Sequence, residues 1–273
     1  MKIGMLLRNS GPVSTPSFIA DCARAGDESE LDSLWVLDHV AIPPDDAEGS
    51  GGRYVDALAT LAYVAGITAR INIGTSVLVL PYRPPLATAN WIAAIQELSA
   101  GRLMLGVGAG WMETEFVVSN ADRGSRGRVT DETLAFMHEC FGNDVVTRRG
   151  KPFIFSPRPQ RPPILVGGTG PHVARRIVAF GDGWMPTSGD ADKLQPEIRN
   201  LAIAMREAGK PAPSVIPLTQ LELDDVGKAA DQISALAEAG CTEIEHATRY
   251  ESVAEFQSIA DLLLTARQRA GAS

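Results

Sequence analysis

Four short stretches of this chain carry residues able to move a proton or hold an anion: Asp38-His39, Gly108-Ala109-Gly110-Trp111, Gly167-Gly168-Thr169-Gly170 and Thr187-Ser188-Gly189. Asp38-His39 offers a carboxylate to fix a hydrogen bond and an imidazole that titrates near neutral pH, the combination a proton transfer needs. A surface histidine at the start of a loop is the plainer reading, and the dipeptide alone does not choose between the two. GGTG, directly before a helix-like segment that begins near Pro171, presents unobstructed backbone N–H groups and a helix N-terminus, which suits a phosphate. Glycines there would equally permit a tight turn and nothing more. The hydroxyls of Thr187 and Ser188, one unit later, tip that reading toward phosphate.

Other constellations are missing. Reading GxGxxG from Gly106 puts Trp111 where the third glycine belongs, and from Gly108 puts Glu113 there, so the dinucleotide fingerprint is not met; the Walker pattern is also absent. His172 falls in the first turn of the phosphate helix, His246 closes the last strand on the active rim, and His138 reads as a helix-face residue. No two of these have ligand spacing, so no metal site is expected. Cys22, Cys140 and Cys241 are scattered, without CxxC spacing, and read as packed thiols.

The elements that would position these stretches follow from periodicity. Strand-length apolar runs alternate with amphipathic helix-length segments, the signature of repeated βα units. Eight units can be counted, with strands over Lys2–Leu7, Ser33–Leu37, Ile71–Ser76, Leu103–Val107, Pro163–Val166, Gly183–Pro186, Ser214–Leu221 and Glu243–Glu245. Helices are expected over Tyr54–Gly66, Pro85–Leu98, Thr130–Phe141, His172–Phe180, Leu194–Ala208, Val226–Glu238 and Val253–Arg269. Val145–Arg161 breaks the alternation and reads as a hairpin inserted before the fifth strand. The expectation is one domain over residues 1–273, an α/β (β/α)8 TIM barrel, with an open doubly wound sheet as the alternative. In such a barrel the four stretches share the C-terminal rim of the strands, where barrel enzymes build their sites.

Hydrophobic residues make up 45% and charged residues 21% of the sequence, which separates it from disordered chains and spanning helices. A net charge of −8 argues against nucleic acid as a partner. With no signal peptide and no apolar run of spanning length, the expectation is a cytoplasmic protein without membrane contact.

GTSVLVLPYRPPLATANWIAAIQELSAGRLMLGVGAGWMETEF (Gly74–Phe116), RPPILVGGTGPHVARRIVAFGDGWMPTSG (Arg161–Gly189) and SLWVLDHV (Ser33–Val40) together resemble the bacterial luciferase-like family. The likeness is nearer to its branch using the deazaflavin coenzyme F420 than to its FMN-using monooxygenases. The resemblance implies a luciferase-like barrel with the cofactor at the strand C-termini and its phosphate on Gly167, Gly168, Thr169, Gly170, Thr187 and Ser188. Gly108 and Gly110 lie on the same cofactor-facing rim. It further implies that Asp38 bonds the cofactor and shares the catalytic position with His39, the proton donor or acceptor. A non-proline cis peptide maps to Ser76-Val77, pressing a backbone ridge against the ring.

Two departures bear on substrate. Sugar-phosphate-oxidising members carry a catalytic Glu where this chain has Trp111, with Glu113 and Glu115 coming later, and a Lys where it has Asp190. Trp111 is then either a planar wall for an apolar substrate or a packing residue. The implied activity is F420-dependent hydride transfer to or from a small organic molecule. The alternatives are an FMN monooxygenase fed by a partner flavin reductase and a non-redox barrel that binds a phosphorylated metabolite. A homodimer is implied. Loops Ile42–Arg53 and Phe116–Arg128 would form the mobile outer wall of the pocket.

Overall fold

The computed structural model describes residues 1–271. Its elements run β1 (Lys2–Leu6), α1 (Pro16–Glu28), β2 (Ser33–Val36), α2 (Ala57–Ala65), β3 (Asn72–Val79), α3 (Pro85–Leu98), β4 (Leu103–Gly108), α4 (Glu113–Val118) and α5 (Arg126–Gly142). The hairpin β5 (Val145–Arg148) and β6 (Lys151–Ile154) follows, then β7 (Ile164–Gly167), α6 (Pro171–Phe180), β8 (Gly183–Met185) and α7 (Ala191–Glu207). The chain finishes with β9 (Ser214–Val215), β10 (Leu218–Thr219), α8 (Val226–Ala239), β11 (Glu243–His246) and α9 (Val253–Gly271). Among the described residues no helix is long and apolar enough to cross a membrane.

The parallel sheet has the order β10-β11-β1-β2-β3-β4-β7-β8-β9. Its two ends belong to one strand. The Ile216 and Leu218 N–H groups donate to the carbonyls of Trp184 (2.9 Å) and Pro186 (2.8 Å), while those of Thr242 and Glu245 donate to the carbonyls of Val215 (2.9 Å) and Pro217 (3.0 Å). Segment 214–219 therefore bonds β8 on one side and β11 on the other, and the ring closes. Pro217 has no N–H to give, which splits the strand into β9 and β10. Counted once, it makes eight parallel strands, the expected (β/α)8 barrel. The expected hairpin is present as the antiparallel pair β5 and β6.

Strand alternation divides the core into two. Leu34 and Val36 face outward into the layer between strands and helices, while Trp35 faces inward and meets Leu165, Met185 and Ile216 inside the barrel. Glycine makes room for the indole: a Cβ on Gly4 or Gly74 would overlap the Trp35 ring. The indole N–H donates to Ser33 Oγ at 2.6 Å, and Ser33 Oγ in turn donates to the buried carboxyl of Glu243.

Caps fix where the helices begin. Thr15 accepts the Phe18 N–H ahead of α1, Asp56 the Ala59 N–H ahead of α2, Asp190 the Lys193 N–H ahead of α7 and Asp225 the Gly227 and Lys228 N–H groups ahead of α8. Gly240, at φ +103°, closes α8 in the left-handed conformation. Three expectations change. The third strand runs on to Val79, α1 and α4 join the helices named above, and the outer loop after Phe116 is partly helical, because Asp122 caps a turn at Arg123–Ser125 that leads straight into α5. The three cysteines are buried and unpaired, and burial pushes the Cys22 thiol up to about 12.

Candidate functional site

The rim is organised by a ridge. β3 and β4 lose register between Thr75 and Leu78, and the Ser76-Val77 peptide is cis. The extra residue of such a bulge re-aims the strand. Val77 is thereby set among glycines: a Cβ on Gly108 would lie 2.6 Å from Val77 Cγ2, and one on Gly167 would lie 2.9 Å from its Cγ1. Gly110, at φ +79°, tucks under Val79 and Tyr82, where a Cβ would stand 2.7 Å from Val79 Cγ1. These three glycines let the ridge and its flanking side chains close together.

Asp38 braces this ridge from below. Its Oδ2 accepts the Val79 N–H at 2.8 Å, and its Oδ1 accepts from Arg83 Nη2, which also reaches Asp56 at 3.1 Å. Burial pushes the carboxyl above its ordinary range, and the Arg83 guanidinium opposes that push. The resemblance puts Asp38 against the cofactor; in the structure both its oxygens also accept hydrogen bonds from within the protein. Asp38 is thus buried and tied to the ridge.

His39 is the opposite case. Its side chain is about one fifth exposed, and its Nδ1 lies 3.2 Å from Oε1 of Glu115. The same Oε1 accepts the N–H groups of Val40 (2.7 Å) and Ala41 (3.2 Å), and Oε2 accepts the Tyr82 hydroxyl at 3.2 Å. Burial pushes the Glu115 carboxyl up, but the hydrogen bonds from His39, Val40 and Ala41 outweigh it and hold the group below its ordinary range. A carboxylate in that state fixes the ring: Nδ1 carries the proton toward Glu115, and Nε2 is left as the acceptor. The ring of Tyr54 meets the imidazole edge-on at 5.0 Å, and Trp111, two thirds exposed, stands at 6.4 Å on another side. Tyr54, Leu6, Arg8, Gln220 and Arg249 line an adjoining cavity of about 500 Å³.

Across the rim, Gly167 pairs with Met185, so the turns after β7 and β8 leave the sheet side by side. Trp184 Nε1 donates to the Gly168 carbonyl at 2.7 Å and pins the first turn. Gly168 (φ +107°) and Gly170 (φ +87°) adopt conformations that other residues rarely take. Among the described residues nothing accepts the N–H groups of Thr169, Gly170 and His172. Thr187 is exposed, and Ser188 Oγ accepts the Asp190 N–H at 3.2 Å, leaving its hydroxyl proton free to donate. Free amides, two hydroxyls and the α6 N-terminus form a seat suited to a phosphate dianion.

The structure therefore gathers His39 and Trp111 on one side, GGTG and Thr187-Ser188 on another, and the Ser76-Val77 ridge with Gly108 and Gly110 between them. It removes His246 from the rim. Glu243 and Glu245 face the barrel interior, so His246 faces the helices; it is buried, its Nδ1 accepts the Leu221 N–H at 3.2 Å, and burial pushes it down to about 4. Glu115, Tyr82, Arg83 and Tyr54 were not among the candidates, although all four reach the site or its support. The one signal for Glu115 is its place in the first turn of α4, directly after the fourth strand's glycines.

The luciferase-like monooxygenase family model matches residues 1–269. An F420-dependent glucose-6-phosphate dehydrogenase of Nakamurella multipartita is 30% identical over 265 residues, covering 91% of this chain and 76% of the relative. An F420-dependent secondary alcohol dehydrogenase, solved with an F420-acetone adduct, superposes with a TM-score of 0.80 at 18% identity, over 97% of this chain and 99% of that one. The oxygenating constituent of 3,6-diketocamphane monooxygenase from Pseudomonas putida, solved with FMN, gives 0.78 at 13% identity, over 99% and 98%. At such identities these two structures establish the fold.

Proposed function

The chain belongs to the luciferase-like monooxygenase family, and from that premise we propose that it is an F420-dependent oxidoreductase in which His39 moves the proton that accompanies hydride transfer to or from a small organic substrate. The observation that carries this reading is the hydrogen bond from His39 to the ionised Glu115 beside an open cavity that Tyr54, packed on the imidazole, helps to line. A non-redox binding protein has no need of such an acceptor.

The residues present fit a flavin-type cofactor. Thr169, Gly170 and His172 have amides free for its phosphate, Thr187 and Ser188 have hydroxyls for the same group, and the Val77 ridge forms a floor for the ring. Bound there, the deazaflavin supplies a two-electron hydride donor or acceptor at carbon C5. The rest falls to the chain. Nε2 of His39 takes a proton from, or returns it to, the substrate oxygen or nitrogen; Glu115 stabilises the imidazolium that forms; Tyr54 and Trp111 flank the reacting molecule and keep water from its faces.

Relatives named for F420 favour that cofactor over FMN. FMN would bring a partner reductase and an oxygen-using reaction, and side-by-side fluorescence titration of F420 and FMN separates the two; tighter binding of FMN overturns the assignment. Trp111 in the place of an acidic residue, and Asp190 engaged in capping α7 and pairing with Lys193 at 2.7 Å, both point away from sugar phosphates and toward a less polar substrate. Exposed Tyr63 on α2 with Leu86 and Trp91 on α3 supports a homodimer through that face. Light scattering that reads a monomer would overturn it.

A further inference from the structure

The cavity beside His39 holds two arginines in opposite states. Arg8 is committed inside the protein: it is buried, and its Nη1 donates to the Tyr250 carbonyl and pairs with Glu251 at 2.8 Å. Arg249, just past β11, is exposed. Among the described residues it has no hydrogen bond and meets no carboxylate, not even that of Glu48 on the same wall.

The Arg249 guanidinium is nevertheless held. A Cβ on Gly49 would stand 2.3, 2.4 and 2.6 Å from its Nη2, Cζ and Nη1, and such near-equal distances put the guanidinium plane face-on against the glycine. Gly49, at φ +76°, belongs to a turn closed by its own backbone: the Ser50 and Gly51 N–H groups donate to the Ala47 carbonyl at 3.2 and 2.7 Å. The Gly11 N–H holds the turn's far end through the Arg53 carbonyl at 3.0 Å. Only a residue without a side chain lets the arginine lie there. Face-on packing leaves the in-plane N–H groups at its edge unpaired, in the fork that suits a carboxylate. The side chains of Gln220 and Thr248, on the same wall, also lack partners among the described residues.

This wall lies across the rim from the phosphate seat. It is built on the ends of β10, β11, β1 and β2, whereas GGTG and Thr187-Ser188 follow β7 and β8. Tyr54 joins it to the imidazole, since it lines the cavity and meets His39 at 5.0 Å. An unpaired cation at one end and a proton acceptor at the other suit a small molecule with an acid group and a separate oxidisable carbon.

We propose that Arg249 selects the substrate by taking its carboxylate, and that the substrate is a small hydroxy acid or the oxo acid it becomes. In the oxidative direction the carbinol C–H bond breaks and its hydride passes to the deazaflavin; the hydroxyl proton passes to His39 Nε2, and the carbon–oxygen bond becomes a carbonyl. The reverse direction returns both. The proposal rests on the reading in which His39 moves the substrate proton.

Two measurements on the whole protein test it. Butyrate has no hydroxyl to lose, so its binding, followed by calorimetry against methyl butyrate with and without F420, reads the carboxylate contact apart from turnover. The acid should bind at least about 10-fold tighter than the ester, as a charge-assisted hydrogen bond allows. Arg249→Gln should erase the difference and Arg249→Lys should restore part of it. With F420 present, β-hydroxybutyrate and γ-hydroxyvalerate should be oxidised at lower KM than their methyl esters, and Arg249→Gln should raise KM for the acids about 10-fold with the loss in KM and not in kcat. F420 should bind this variant as it binds the wild type, which also reports that the variant is folded. Equal binding of acid and ester in the wild type, or a preference for the acid that survives Arg249→Gln, overturns the proposal and leaves the F420 reading standing. Arg249-dependent butyrate binding without turnover of either acid or of its oxo form overturns the hydroxy-acid assignment alone. Failure of F420 to bind overturns the hydride step, while the butyrate titration without cofactor still decides the role of Arg249.

Discussion

The two sides of the barrel rim are built on opposite principles. Around His39 nearly every polar atom already has a partner inside the protein: Glu115 accepts four hydrogen bonds and Asp38 two. Around GGTG the Thr169, Gly170 and His172 amides are bare among the described residues, and the internal ties, from Trp184 to the Gly168 carbonyl and from Val173 and Ala174 to the Gly170 carbonyl, leave them open. Preassembled polar groups cost no reorganisation when charge develops, whereas open donors gain their value from a ligand that satisfies them. On the proposed function, the first side serves the chemistry and the second the binding.

That division can be broken in stages. His39→Ala should cut turnover by roughly 10²–10⁴-fold, followed by loss of deazaflavin absorbance, while cofactor affinity stays near wild type. A rate that survives removes the imidazole from the mechanism. Glu115→Gln should cost less, roughly 10–100-fold, again in rate and not in cofactor affinity, and should shift the pH–rate profile because the amide no longer stabilises the charged ring. An unmoved profile would leave Glu115 a structural residue. On the other side, the pair Thr187→Ala, Ser188→Ala should weaken cofactor binding by at least about 10–100-fold at unchanged saturated rate, since each hydrogen bond to a charged group contributes about 1.5–3 kcal/mol. A drop in saturated rate instead would blur the two halves into one.

The smallest effect concerns stability beneath the rim. Glu245 is buried in the barrel interior with neither oxygen hydrogen-bonded among the described residues, and burial, aided by the Glu243 carboxyl and opposed in part by neighbouring Ser76, pushes it up to about 8. For an acid raised in the folded state, the native protein holds the proton while the unfolded chain releases it. Stability is therefore unaffected below the ordinary carboxylate range and falls as pH rises toward 8, by up to about 1.4 kcal/mol per pH unit. Glu245→Gln should match the wild type in thermal melts near pH 4 and exceed it near pH 8. Equal melting points throughout would mean that this carboxyl is hydrated.

How much of this could be read from the chain depends on how local the cause is. GGTG and TSG were legible because a turn's conformation is set by the residues in it, and Asp38-His39 because a strand end announces itself. Glu115 was not, because its meaning comes from His39, 76 positions away in sequence, which only the closed ring brings near. Asp38 was placed on the rim, but its protein partners were not legible: nothing in the local sequence shows that Val79 and Arg83 fold over it. His246 was misplaced for a simpler reason, since inward-facing Glu243 and Glu245 already put it on the outer face by alternation. The split of the seventh strand was foreshadowed by Pro217 inside an otherwise regular run.

Trp35, seated among glycines and backed by Leu165, Met185 and Ile216, acts as a stopper in the barrel's bore. The bore is closed from beneath, so on the proposed function coenzyme and substrate enter from the rim above. With the deeper guest arriving first and departing last, the spent coenzyme should inhibit competitively against fresh coenzyme.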